Sequence, residues 1–184
     1  MPLRVLSFGA MLALVCGCET TVVREEPDRP ALAEELVSCM KGTVVQTVEG
    51  SWKDEAFAAE CVLKGDGGRF TAILLAPQMR LATLTVERPH RVRWERAPQI
   101  PAALDPEYVL LDIAQVSLPT DALSRALGGD FRIDETPDGK RRRVVDAKSG
   151  RLQSVRQVLP DGGVYFRNAV HGYEYTVKTV SNEN

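Results

Sequence analysis

The chain is poor in the residues and motifs that carry chemistry. It has only two histidines, His90 and His171, both in turn-like surroundings and neither at metal-ligand spacing. There is no Gly-x-Ser-x-Gly elbow, the sequence mark of one large class of serine hydrolases. No glycine-rich loop joins a strand to a helix in a phosphate-cradling pattern. Neither sign of charge prevails: 23 Lys and Arg against 25 Asp and Glu leave a net charge of −2, which argues against a nucleic-acid partner bound by overall positive charge. Beyond the N-terminal stretch, no apolar run reaches bilayer-spanning length. Asp105, Glu107 and Asp112 cluster around one expected helix start, where carboxylates suit the helix dipole better than they make an acid–base pair. The expectation is a protein that is not an enzyme and needs no cofactor or metal.

What is there begins at the N-terminus. Arg4 gives a short positive start, and residues 5–15 are apolar except for Ser7 and Gly9. That length suits a secretory h-region rather than a membrane span. The run Val15-Cys16-Gly17-Cys18 resembles the bacterial lipobox, in which a cysteine after a small residue becomes the acylated first residue of the mature protein. Gly17 precedes Cys18 whereas bulky Val15 precedes Cys16, so Cys18 is the expected lipidation site. Glu19, rather than Asp, follows it, which in lipoproteins of this kind implies release to the outer membrane. Residues 1–17 are then a signal peptide, 18–30 a tether, and 31–184 a single domain. The expected location is the periplasmic face of the outer membrane, the protein being held there through acylated Cys18. Each buried CH₂ of an acyl chain contributes about 0.8 kcal/mol, so three chains on one cysteine make attachment effectively permanent.

Once Cys16 leaves with the signal and Cys18 is acylated, Cys39 and Cys61 remain. In an oxidising compartment they are a candidate disulfide, worth roughly 3 kcal/mol in the chain-entropy model; the alternative is two buried free thiols.

Residues 20–30 are polar and charged, with Pro27 and Pro30, and read as the tether. A helix is expected from Pro30 to near Gly42, with Leu32, Leu36, Cys39 and Met40 as its apolar stripe. From residue 43 to 96 the period changes to two. Phe57, Ala59, Cys61 and Leu63 alternate with Ala58, Glu60 and Val62, and Val92 and Trp94 oppose Arg91, Arg93 and Glu95. Asp105-Pro106 caps a helix bearing Val109, Leu110, Ile113 and Val116, and Thr120 caps a second helix that Gly128-Gly129 stops. Strands then resume, with turns at Pro137-Asp138-Gly139, Ser149-Gly150 and Asp161-Gly162-Gly163, and close on Tyr173-Tyr175-Val177. Lys140-Arg141-Arg142-Arg143 reads as a solvated hairpin, or else as a patch for anionic head groups. The fold class is mainly antiparallel β (α+β) with nine or ten strands, two helices inserted between two β halves and one helix before them. Such a sheet must close or be covered, and an incomplete half β-barrel with helices over its open mouth does both. It would also enclose an apolar pocket.

Tyr108-Val109-Leu110-Leu111-Asp112-Ile113-Ala114-Gln115, then Leu118-Pro119 with Leu123 and Gly128, resembles the LolB-like outer-membrane lipoprotein superfamily. Ala76-Pro77-Gln78-Met79-Arg80-Leu81-Ala82-Thr83-Leu84 and residues 168–179, centred on Gly172-Tyr173, look like its branch of short lipoproteins encoded near aryl polyene and fatty-acid-like biosynthesis genes. The resemblance spans most of residues 43–180. It implies an incomplete barrel of about nine to eleven strands that binds or transfers the acyl chains of lipids or lipoproteins such as palmitate, with a periplasmic carrier protein as a further partner. Phe57, Phe70, Leu84, Trp94, Ile113, Leu123, Tyr173 and Tyr175 are the candidate pocket residues. In the LolB-like receptors a protruding hydrophobic residue after an Asn-Pro pair pushes cargo into the membrane. Here Pro77, Gln78 and Met79 form the corresponding transfer loop, with polar Gln78 after the proline and flexible, apolar Met79 next to it. The alternative function is a scaffold or accessory lipoprotein that docks an envelope biosynthesis complex and has a filled core.

Overall fold

The computed structural model describes residues 20–183 except 26, 54, 89–90 and 101–103; Cys18 and His90 lie outside the described residues. The elements run β1 (Thr20–Arg24), α1 (Pro30–Cys39), β2 (Lys41–Trp52), β3 (Glu55–Asp66), β4 (Arg69–Ala76), β5 (Met79–Glu87), β6 (Arg91–Arg96), α2 (Pro106–Ser117), α3 (Thr120–Leu127), a 3₁₀ turn (Gly128–Asp130), β7 (Phe131–Glu135), β8 (Arg141–Asp146), β9 (Leu152–Val158), β10 (Val164–Asn168) and β11 (Tyr173–Glu183). All eleven strands join one sheet in the order β1-β6-β5-β4-β3-β2-β11-β10-β9-β8-β7, with every described neighbour antiparallel. Two meanders, β2–β6 and β7–β11, are joined where β11 pairs with β2. Among the described residues no helix is long and apolar enough to cross a membrane.

Strand β1 lies within residues 18–30, the stretch expected to be a tether. Thr20 to Val23 are β-prone residues, and pairing Val22 with Trp94 covers the edge that β6 would otherwise leave open. Helix α1 starts at Pro30 as expected but buries Leu32, Ala33, Leu36 and Val37. The backbone turns extended at Met40; Cys39 leaves the buried stripe and is exposed, while Met40 stays partly buried against the core. Helix α2 is capped by Asp105, whose carboxylate accepts from the Glu107 backbone N–H at 2.9 Å. Thr120 does not cap α3: Pro119 stands at the cap position, and the Thr120 hydroxyl instead donates to Glu135 at 2.6 Å.

The sheet is rolled and open. Helix α1 packs on β4 and β5 and on α3, while α3 packs on β7. On a flat sheet β5 and β7 would stand eight strand spacings apart, about 38 Å. Two packed helices with axes 8–10 Å apart bridge roughly half that distance. The Arg29 guanidinium, at the cap position of α1, also lies 5.7 Å from the centroid of the Phe131 ring at the start of β7. Inside the roll, Leu32 and Leu36 of α1, Leu110 and Ala114 of α2, and Leu123 of α3 pack on Phe70, Leu84, Val86 and Val92 of the sheet.

Candidate functional site

Side chains facing the inside of the roll fall into cross-strand rows, because antiparallel register places partners on one face. Nearest the core the row is Trp94–Leu84–Ala72–Leu63, followed by Ala82–Leu74–Cys61–Gln46. Towards the β2–β3 hairpin come Ala59–Val48–Val177, then Phe57–Gly50–Tyr175, then Glu55–Trp52–Tyr173. Ala72, Ala82, Ala59 and Gly50 are small, and the rows they occupy leave a trough. Gly50 has a second reason to be glycine, since a Cβ there would collide with the Glu174 carbonyl and Tyr175. Helix α2 roofs the trough with Val109, Ile113 and Val116 but does not fill it. A cavity of about 430 Å³ remains, within the roughly 300–1,000 Å³ usual for small-molecule sites. Leu63 and Glu55, both on its wall, are eight residues apart on β3, about 27 Å at strand rise, so the space is long rather than round.

Of the candidate pocket residues, Phe57, Leu84, Trp94, Ile113, Tyr173 and Tyr175 line this cavity. Phe70 and Leu123 do not; both are fully buried in the core beneath α1, where the helices close on the sheet. Phe57 is 39 % exposed and marks the rim. Trp94 Nε1 is buried without a hydrogen-bond partner among the described residues. The Cys39–Cys61 disulfide is not formed: both carry free thiols. Cys39 points outwards with its Sγ 3.7 Å from Glu35, whereas Cys61 lines the cavity and its thiol is pushed up to about 12 by burial. Pro77 and Gln78 form the two-residue tip of the β4–β5 hairpin, and Met79 beside them is 40 % exposed. Gln78 takes φ +70, the left-handed conformation that the second central residue of a type II turn adopts, with proline suited to the first.

What positions the α2 roof is a set of polar residues that sequence reasoning missed. Asp112, expected to serve the helix start, instead faces β10 and β11, only 5 % exposed. It accepts from the Asn168 amide at 3.2 Å and from the Tyr173 hydroxyl. Burial pushes its carboxyl up to about 7, against the pull of those two hydrogen bonds. One turn on, Gln115 is buried and accepts from the Ser154 hydroxyl of β9. The carbonyls that end α2 are met by arginines from the sheet. Arg142 donates to Leu118 O at 2.9 Å and Gln115 O at 3.2 Å, and Arg156 donates to Val116 O at 3.2 Å. These cations meet the negative end of the helix dipole. The basic run on β8 is therefore split: Arg141 and Arg143 are solvated, but Arg142 is buried and also contacts Glu135 at 3.2 Å. The spacing Asp112–Gln115, three residues apart on an otherwise apolar helix, was the available signal.

A second hollow, about 670 Å³, lies between the starts of α1 and α2 and the end of α3. Asp28, Asp105, Glu107, Asp130 and Asp146 face Arg29 and Lys148 there, so it offers little to a hydrocarbon chain. Burial, ahead of other causes, raises the Glu107 carboxyl above its ordinary value. Among the described residues no group of three or more His, Cys, Asp or Glu could hold a metal ion.

Among solved structures, the chain is similar to a LolA superfamily protein from Nitrosomonas europaea, at 12 % identity and a TM-score of 0.36. It is also similar to a domain described as an outer membrane lipoprotein-sorting protein from Vibrio parahaemolyticus, at 9 % identity and a TM-score of 0.30. Each alignment covers 83 % of this chain and 90 % of the other. At these values neither relative's role is carried over to this chain. No curated protein matches it. The model of the DUF3261 family, described as a protein of unknown function, matches residues 43–181, from the third residue of β2 to near the end of β11. That span is most of the chain, and the protein belongs to the DUF3261 family.

Proposed function

We propose that the protein is a non-catalytic lipoprotein, anchored through acylated Cys18 at the periplasmic face of the outer membrane, that shelters acyl chains of lipids or lipoproteins in its apolar trough. The observation that carries this reading is the cavity itself, about 430 Å³ and walled mostly by Val, Leu, Ala and aromatic side chains. In this role the rolled sheet acts as a half barrel and α2 as the cover of its mouth. Burying ten methylenes contributes roughly 8 kcal/mol, much of it offset by the cost of association. A bilayer offers the same methylenes the same burial, so handing a chain to the membrane is close to neutral and needs no energy source. The Pro77–Gln78 tip, with Met79 exposed beside it, is the proposed point of membrane contact. A periplasmic carrier protein would deliver the cargo.

The rival reading, a scaffold for an envelope complex such as one making aryl polyenes, calls for a filled interior, and the trough speaks against it. The test is binding of a fluorescent long-chain acyl probe to the Cys18→Ser protein. Micromolar binding is expected, with Ala59→Trp, which fills the trough, losing at least tenfold. A probe that finds no site, or an Ala59→Trp variant that binds as the parent does, overturns the reading.

A further inference from the structure

The wall of the trough has a charge pattern that selects among acyl compounds. Its described lining holds two carboxyl groups, Glu55 and Asp112, and no Lys, Arg or His. Both belong to the hairpin end. Glu55 pairs with Trp52, Trp52 pairs with Tyr173 on its other side, and the Tyr173 hydroxyl donates to Asp112. This end is also the open one: Glu55 and Phe57 are exposed, whereas Leu63, Leu84 and Trp94 at the far end are buried. A chain that enters tail first therefore leaves its head among these carboxyls. The groups that face Asp112 are the Tyr173 and Tyr175 hydroxyls of β11 and the Asn168 amide of β10, none of them cationic. Lys53, in the hairpin turn, is held with its Nζ 5.3 Å from the centroid of the Trp52 ring and does not line the wall. The other polar side chains of the lining beside the tyrosines, Gln46, Gln99, Ser117, the Cys61 thiol and the Trp52 and Trp94 indoles, are uncharged.

From this pattern we infer that the trough takes acyl chains held in ester or amide linkage and rejects free fatty acids, with Glu55 and Asp112 as the specificity-determining residues. A carboxylate head placed there would meet like charge with no cation in the wall to offset it. An ester or amide carbonyl brings no charge and meets no such repulsion. The same linkage occurs in a glycerolipid and in the acylated cysteine of a lipoprotein. The inference rests on the proposed binding of chains in this cavity.

Displacement of a fluorescent acyl probe from the full chain carrying Cys18→Ser tests it at pH 8, above the value of about 7 to which burial raises the Asp112 carboxyl. The competitors are palmitate, methyl palmitate, monopalmitoylglycerol and a dipalmitoylglyceryl-cysteine peptide. The three esters are expected to displace the probe at concentrations about tenfold below palmitate. Which of the last two competes better separates a glycerolipid cargo from a lipoprotein cargo. Glu55→Lys, at an exposed position where folding is not at stake, should improve palmitate at least fivefold relative to methyl palmitate. Asp112→Asn should narrow the gap between palmitate and its methyl ester, and Lys53→Gln should not alter it. Palmitate competing as well as its ester overturns this inference alone, as does a palmitate preference that Lys53→Gln removes. A probe that fails to bind at all overturns the cavity reading and this inference with it.

Discussion

Asp112 is the residue whose environment differs most from its sequence context. Its carboxyl is raised from an ordinary 3.8 to about 7, chiefly by burial. A carboxyl raised on folding holds its proton more tightly in the folded state. Its contribution to stability is present at low pH and is lost as pH climbs through 7. Between pH 5 and pH 8 the loss is on the order of 3 kcal/mol. Asp112→Asn keeps an acceptor for Asn168 and a group for the Tyr173 oxygen but cannot ionise. Urea unfolding should show it gaining on the parent by a few kcal/mol over that interval, and parallel pH curves for the two proteins would refute the assignment. The cysteines make a second prediction at this scale. In native protein one thiol, Cys39, should react with a water-soluble maleimide, while Cys61, buried and pushed up to about 12, should react only after unfolding. Two unreactive thiols that reducing agent releases would restore the disulfide.

Helix α2 shows how one element carries three jobs on three faces. Leu110 and Ala114 face the core, Val109, Ile113 and Val116 face the trough, and Asp112, at the trough's edge, and Gln115 bond to β9, β10 and β11. The polar face sets the height of the roof, because each buried polar contact is costly to leave unmade. Arg142→Ala would strip the last carbonyls of α2 and leave Glu135 short of its buried partner. Its expected cost is about 3 kcal/mol by denaturant unfolding, together with weaker probe binding as the roof loosens. Leu36→Ala on α1, which lies over β4 and β5 away from the trough, should cost about 2–5 kcal/mol while leaving the probe affinity of the folded protein unchanged. The contrast between the two variants separates what holds the fold together from what shapes the site.

For the molecule as a whole, the rolled sheet sets the trough's open end on the same side as hairpins β2–β3 and β4–β5: the wall residues Phe57 and Leu81 sit within a few residues of those two turns. Met79 at the β4–β5 tip is thus close to where cargo would leave. Met79→Lys should leave stability and probe binding as they are but slow transfer of a bound chain to vesicles several-fold, measured by donor-to-acceptor energy transfer. Unchanged transfer would remove the tip from the mechanism.

Local rules were enough for most of the elements. Proline at the starts of α1 and α2, the Asp105 cap, the glycines after α3 and the alternation through Phe57, Ala59, Cys61 and Leu63 each act over a few residues, and each element stands where they place it. Strand parity, with the helical stripe for Ile113, put six of the eight proposed pocket residues on the cavity wall. Edge pairing was not legible, because Thr20–Arg24 becomes a strand only when β6 is there to receive it. The fates of Phe70 and Leu123, of Arg142 and of Asp112 depended on which element lay opposite. An apolar side chain buries equally well in a filled core or beside an empty trough, and a charge in a sequence does not reveal whether it meets water or the end of a helix. Periodicity and turn chemistry are properties of neighbours along the chain, so the sequence alone determined the elements and their inward faces. Vacancy, burial and charge pairing arise between segments far apart in sequence, so only the tertiary structure decided that the roll is hollow and which polar groups hold its roof.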